Sequence, residues 1–247
     1  MTDYLIIANG DFLVKEMITE AALGKKIIAL DGAANILILL DILPQIILGD
    51  FDSISEPTAA YWGIKNTFAQ LDSQMTIYPG NQGSLIVAIK DQNYTDLEKA
   101  IHYCDRENAS SISIVCATGD RLDHQESVKM SLKTYYQKNR PIILYTELQC
   151  LFFARDEVCQ LSGMPGDKCG FLATAGSKVS STGLVYECQE HQQSFCNALA
   201  QSTAELHIQG EAWVFAPPRL ASQRDYMKKT EIERLELLLR DRKQKSL

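Results

Sequence analysis

Through the first 145 residues, short apolar runs alternate with longer stretches in which apolar residues recur every three or four positions. The short runs predict strands at Tyr4–Ala8, Lys26–Leu30, Gln45–Leu48, Leu85–Ile89, Ile112–Ala117 and Pro141–Tyr145. The longer stretches predict helices, among them Phe12–Leu23, Ala33–Leu40, Thr95–Asn108 and Arg121–Lys138. In the third, Leu97, Ala100, Ile101 and Cys104 fall at i, i+3, i+4 and i+7, which makes one buried face. Buried strands alternating with helices predict a doubly wound, mostly parallel α/β sheet over residues 1–145.

Beyond residue 146 the pattern changes. Glycines at 163, 166, 170, 176, 183 and 210 punctuate short runs such as Gly170–Thr174, Ala204–Ile208 and Ala212–Phe215. Leu206 and Ile208 alternate with His207 and Gln209, as in a half-buried strand. Residues 146–216 therefore predict a C-terminal antiparallel β-sandwich. A charged tail over 217–247 opens on Pro217-Pro218 and turns helical. It carries a possible capping box at Thr230-Glu231-Ile232-Glu233 and an apolar stripe of Ile232, Leu235, Leu238 and Leu239. Such a stripe suits a surface helix packed on the body or on a second subunit.

The 247 residues are 46% hydrophobic, enough for one large or two modest cores. The net charge of −7 argues against nucleic acid or an anionic membrane as the main partner. The segment from Arg219 onward has nine Lys/Arg against five Asp/Glu, so the preceding body carries about −11. Such a body needs a metal ion to hold a polyphosphate well. Seven cysteines without a C-x-x-C pair predict reduced core thiols rather than a disulfide framework or a zinc site. Met1 leads into Tyr4-Leu5-Ile6-Ile7 without a basic leader, and no apolar run reaches membrane-spanning length; a soluble, cytoplasmic protein is expected.

Three acidic segments fall at predicted strand ends: Gly49-Asp50-Phe51-Asp52-Ser53, Asp91-Gln92-Asn93-Tyr94-Thr95-Asp96 and Gly119-Asp120-Arg121-Leu122-Asp123-His124. In an open parallel sheet those ends line the ligand crevice. Carboxylates gathered there repel one another and call for a hard divalent cation, most naturally Mg²⁺ with a polyphosphate, which points to phosphoryl transfer. Each segment also has a plainer reading. Asp50-x-Asp52-Ser53 is an ordinary turn and cap, Thr95 or Asp96 an N-cap, and Arg121 with Asp123 an internal salt bridge. The sequence contains neither a G-x-S-x-G elbow nor a G-x-x-x-x-G-K-[ST] loop, which disfavours a serine hydrolase and a P-loop kinase. His102, His191 and His207 read as surface or packing residues.

The order and spelling of the segments resemble the thiamine pyrophosphokinase family. The match is carried by Asn9-Gly10-Asp11, Asp31-Gly32-Ala33-Ala34-Asn35, Gly49 to Ser53, Asp91 to Asp96 and Arg121 to His124, continued by Gly183-Leu184-Val185-Tyr186 and Ser194-Phe195-Cys196-Asn197. The resemblance covers about residues 4 to 215. It implies transfer of the pyrophosphoryl group of ATP, as co-substrate, to the hydroxyethyl group of thiamine, giving thiamine diphosphate and AMP. It further implies a homodimer with thiamine near the subunit interface. Carried over by position, Asp50, Asp52 and Asp96 form the Mg²⁺ group. Asn9, Gly10, Asp31, Gly32, Asn35 and His124 fall in the nucleotide region, with Arg121 on the polyphosphate. Gln92, Asp123, Tyr186, Ser194 and Asn197 contact thiamine, some from the neighbouring subunit.

Ala33, Asn93, Tyr186 and Cys196 depart from the family pattern, the stretch between Ser55 and Lys90 is longer than its norm, and the tail beyond Pro217 has no counterpart. A pyrophosphokinase for another heterocyclic alcohol, such as a hydroxymethylpterin, would need a different second domain. A non-catalytic thiamine- or nucleotide-binding regulator would be expected to have lost Asp50, Asp52 or Asp96.

Overall fold

The computed structural model describes residues 2–65 and 75–230. Six parallel strands form its centre: β1 (Thr2–Ile7), β2 (Lys26–Leu30), β3 (Ile46–Gly49), β5 (Leu85–Ile89), β6 (Ala109–Val115) and β7 (Ile142–Tyr145), in the order β7-β6-β1-β2-β3-β5. They follow the predicted apolar runs because each strand is covered on both faces. In β1, Leu5 and Ile7 point into one core while Tyr4 and Ile6 point into the other, all four essentially inaccessible. Side chains of that size contribute roughly 1.5–3 kcal/mol each on burial. Helices α1 (Lys15–Ala21), α2 (Ala33–Leu39) and α3 (Glu56–Trp62) cover one face. Helices α4 (Asp96–Arg106) and α5 (Leu122–Thr134) cover the other.

The stretch between Ser55 and Lys90 contains α3 and the edge strand β4 (Met75–Pro79), antiparallel to β5. Ser55 caps α3 with Pro57 in its first turn, and Trp62 anchors it, buried, with its indole N–H donating to Ala34 O at 3.2 Å.

The C-terminal half is antiparallel, as expected, and its larger sheet continues the parallel one. Strand β8 (Cys150–Arg155) pairs antiparallel with β7. It is followed laterally by β14 (Glu211–Ala216), β10 (Lys168–Ala173) and β12 (Gln193–Ala198). One sheet, β12-β10-β14-β8-β7-β6-β1-β2-β3-β5-β4, thus runs through both halves, eleven strands among the described residues. A smaller sheet, β11 (Lys178–Thr182), β13 (Thr203–Gln209) and β9 (Val158–Ser162), closes the sandwich. Its Leu161, Val179, Leu206 and Ile208 belong to the same core as Leu5 and Ile7.

A helix over 221–230, here α6, leads into the tail. Glu20 on α1 accepts from the backbone N–H groups of Ala221 (2.8 Å) and Ser222 (2.9 Å), capping the start of α6. The predicted capping box and apolar stripe fall largely at positions 231–239, outside the described residues. Among the described residues no helix is long and apolar enough to cross a membrane. Every cysteine is a free thiol, six of the seven buried.

Candidate active site

Because the central strands are parallel, the loops after β1, β2, β3, β5 and β6 emerge at one edge. The strand order reverses between β1 and β6, the switch point at which open parallel sheets form their ligand crevice. Its floor is close-packed. Gly10 N donates to Cys116 O and Asp11 N to Thr118 O, both at 2.7 Å. A Cβ at Gly10 would run into Thr118 O, so only glycine lets these loops meet. At Gly32 a Cβ would meet the side-chain amide of Asn9, which packs against this glycine.

Three carboxylates converge beside this floor. Asp31 follows β2, Asp50 follows β3 and Asp96 opens α4; one oxygen from each lies within 4.8 Å of the others. The approach depends on Gly49, where a Cβ would sit 2.9 Å from Asp31 Cβ. Asp31 takes a left-handed φ of 37°, uncommon outside glycine, which marks a backbone held by its surroundings. Ser53 N donates to Asp31 Oδ2 at 3.2 Å. Asp31 Oδ1 is buried and has no hydrogen-bond partner among the described residues. Burial, then Asp96 and to a lesser degree Asp52 and Asp50, pushes the Asp31 carboxyl up to about 6, against 3.8 ordinarily. Burial likewise raises Asp96, opposed by its hydrogen bond to Lys99.

A 95% buried Asp31 with one unpartnered oxygen, clustered with two more carboxylates, is a costly arrangement that a cation would relieve. The all-oxygen donor set suits a hard ion such as Mg²⁺. Of the predicted metal group the trio contains Asp50 and Asp96, and it adds Asp31, which sequence reasoning assigned to the nucleotide. Asp52 is exposed next to the trio and accepts from Ser53 Oγ at 2.9 Å. The closeness of Asp31 to Asp50 comes from the pairing of β2 with β3, which a linear spacing does not disclose. Lys99 was also missed. It is 5% exposed, with Nζ 2.9 Å from Asp96 Oδ1 and 3.6 Å from Asp50 Oδ2.

The other predicted residues divide by what they touch. Gln92 Nε2 donates to Asp50 Oδ2 at 2.8 Å, which brings Gln92 to the trio. Asn35 spends its amide on the loops, donating to Gly32 O and Ser53 O and accepting from Ser55 N. Thr95 forms a full capping box with Glu98, so the plain cap reading holds for Thr95 while Asp96 joins the trio. Arg121 and Asp123 do form a bidentate pair, with Nη2 to Oδ2 at 2.6 Å, at the crevice rim beside exposed His124. Their hydrogen bond raises Arg121 and lowers Asp123; both are about two-thirds exposed. Ala33, one of the departures from the family pattern, is fully buried in the core.

Tyr186, Ser194 and Asn197 gather on the sandwich. Asn197 is buried; its Nδ2 donates to Tyr186 O (2.7 Å) and Ser194 Oγ (2.9 Å), and its Oδ1 accepts from Tyr186 N (3.1 Å). Its amide thus holds the turn that displays the Tyr186 ring, 71% exposed. Strand β12, which bears Ser194 and Asn197, is eight strand spacings from β3 in the sheet order. At about 4.8 Å per spacing the lateral path along the sheet between them is ~38 Å. Arg121, after β6, is only three spacings from β3, about 14 Å.

Comparison with known proteins agrees with this geometry. A family model described as the catalytic domain of thiamin pyrophosphokinase matches residues 20–144, the segment that carries all three carboxylates. Thiamin pyrophosphokinase 1 of Caenorhabditis elegans is 25% identical over 189 residues, spanning 71% of this chain and 69% of that protein. Among solved structures, thiamine pyrophosphokinase from Bacillus subtilis superposes with a TM-score of 0.69 at 18% identity, over 89% of this chain and all of the other. The Candida albicans protein gives 0.68 at 18% identity, over 87% and 90%. At those identities the structural matches establish the shared fold.

Proposed function

Because the chain belongs to the thiamin pyrophosphokinase family, we propose that it transfers the pyrophosphoryl group of ATP to the hydroxyethyl oxygen of thiamine with a magnesium ion at the carboxylate trio. The thiamine oxygen bonds to the β-phosphorus, the bond from that phosphorus to the α,β-bridging oxygen breaks, and AMP departs with the bridging oxygen. The observation that carries the reading is the convergence of one oxygen each from Asp31, Asp50 and Asp96 within 4.8 Å, in a cluster where Asp31 also has a buried, unpartnered Oδ1. A magnesium ion held there would supply charge neutralisation on the polyphosphate and Lewis acidity.

The chain's own residues supply the rest. Asp31, Asp50 and Asp96 would hold the ion, with Asp52 beside them. Gln92 orients Asp50 and faces thiamine. Arg121 leaves Asp123 to grip the polyphosphate bidentately, and the freed Asp123 carboxylate accepts the hydroxyl proton. Asn9, Gly10, Gly32 and His124 border the nucleotide, and Asn35 keeps the surrounding loops in place. Tyr186 offers an aromatic face to the thiazolium cation, with Ser194 beside it and Asn197 behind. The span between β12 and β3 favours a homodimer in which these three come from the partner subunit.

Purified protein with Mg²⁺, ATP and thiamine should yield thiamine diphosphate and AMP in equal amounts, and a hydroxymethylpterin in place of thiamine should yield nothing. Folded protein that turns over the pterin, or neither alcohol, would overturn the reading.

A further inference from the structure

Lys99 lies one turn into α4, beside the apolar stripe that the sequence predicts, where a lysine would ordinarily extend into water. Instead its side chain is 4% exposed and its ammonium lies 2.9 Å from Asp96 Oδ1 and 3.6 Å from Asp50 Oδ2. Long lysine side chains are almost never buried without a partner that needs them. Here the partners are two of the three carboxylates assigned to the metal, and an oxygen of the third, Asp31, lies within 4.8 Å of theirs.

We infer that Lys99 is the resident counter-ion of the carboxylate trio, a positioning residue that weakens its hold on a free divalent cation. In the metal-free protein the ammonium neutralises about one of the three negative charges and fixes the orientation of Asp50 and Asp96. A divalent ion entering the trio meets this fixed positive charge at close range, which lowers its affinity for the empty site. The repulsion is offset when the ion arrives with the negative charge of a polyphosphate. Lys99 thereby couples metal loading to nucleotide loading, and the site does not retain a bare ion between turnovers. The inference rests on the trio being the metal site of the proposed function, and it concerns the charge balance of that site rather than its substrate.

The test is Mn²⁺ binding to nucleotide-free protein, read from the free-ion electron paramagnetic resonance signal, with thermal midpoints in EDTA alongside. Neither readout requires ATP or thiamine. Lys99→Met should bind Mn²⁺ at least ~10-fold more tightly than wild type, because a like charge at close range has been removed. Lys99→Arg, which keeps the charge, should stay within about threefold of wild type. In EDTA, Lys99→Met should melt lower by about 6 °C or more, since the trio is left uncompensated, and Mn²⁺ should restore it. If Lys99→Met does not fold without metal, the double variant Lys99→Met/Asp96→Asn, which removes one charge of each sign, should fold again.

Equal or weaker Mn²⁺ binding by Lys99→Met overturns the inference. So does a double variant as unstable as a non-folding Lys99→Met, which would make Lys99 a packing element. Tightened Mn²⁺ binding in a protein with no thiamine turnover would keep this inference and remove the proposed substrate; the reverse pattern would do the opposite.

Discussion

Replacing Asp31 by Asn should make the metal-free protein more stable while removing its activity. Burial and the nearby carboxylates raise the Asp31 carboxyl from 3.8 to about 6. Keeping it ionised at pH 7.5 therefore costs about 3 kcal/mol relative to the unfolded chain. Asn retains an oxygen for the Ser53 N–H, carries no charge, and puts an amide NH₂ in place of the unpartnered Asp31 Oδ1. Allowing for imperfect amide geometry, a net gain of about 2 kcal/mol is expected, or roughly 4–8 °C in melting temperature for a chain of this size.

The pH dependence gives an independent check. Asp31 is raised in the folded state, so between about pH 4 and 6 the folded protein holds a proton that the unfolded chain releases. Its contribution is most favourable below 3.8 and is lost as pH rises through about 6. Wild-type stability in EDTA should carry this downward component and Asp31→Asn should lack it. Chemical denaturation in EDTA from pH 4 to 8 measures both quantities. Saturating Mg²⁺ should narrow or reverse the difference, because the ion stabilises only the wild-type site. An Asp31→Asn protein less stable than wild type in EDTA, with an unchanged pH profile, would refute the reasoning.

Asp96→Asn should lower turnover at least about a hundredfold, equivalent to about 2.7 kcal/mol of transition-state stabilisation, without unfolding the protein; steady-state kinetics with a melting curve checks both. Gln223→Leu should destabilise by about 3 kcal/mol in urea, because its fully buried amide accepts from Arg219 N and Leu220 N at 2.9 Å and donates to Thr146 O at 2.6 Å. Mixing inactive Asp96→Asn and Asn197→Ala chains should recover part of the activity if the sandwich of one subunit completes the crevice of the other. Co-purification of two differently tagged chains confirms exchange, and mixed dimers without recovered activity would place a complete site in each chain.

The sequence discloses the parallel sheet well because every central strand must be apolar on both faces, and that requirement is written in consecutive residues such as Tyr4 to Ile7. It does not disclose β4, whose Met75-Thr76-Ile77-Tyr78-Pro79 is only partly buried and ends in proline. Nor does it show that β8 pairs with β7 and joins the two halves through one sheet, since periodicity reports which faces are buried and not which strands are neighbours. The acidic crevice is legible for the same reason that the strands are, because carboxylates just after buried runs must lie at one edge. The grouping of Asp31 with Asp50 depends on a lateral contact permitted by Gly49. Lys99 shares a helix with a clear apolar stripe, and only the third dimension brings its ammonium to two carboxylates. Asn197 illustrates the converse. Its motif suggests a ligand contact, while its amide is committed to the Tyr186 turn.

The central claim is that the crevice moves a pyrophosphoryl unit in one step, and isotopic tracking of phosphorus tests it most directly. With ATP labelled separately at the β and γ positions, thiamine and Mg²⁺, both labels should appear in thiamine diphosphate and neither in AMP. Label retained in ADP, or thiamine carrying the γ-phosphorus alone, would contradict the account.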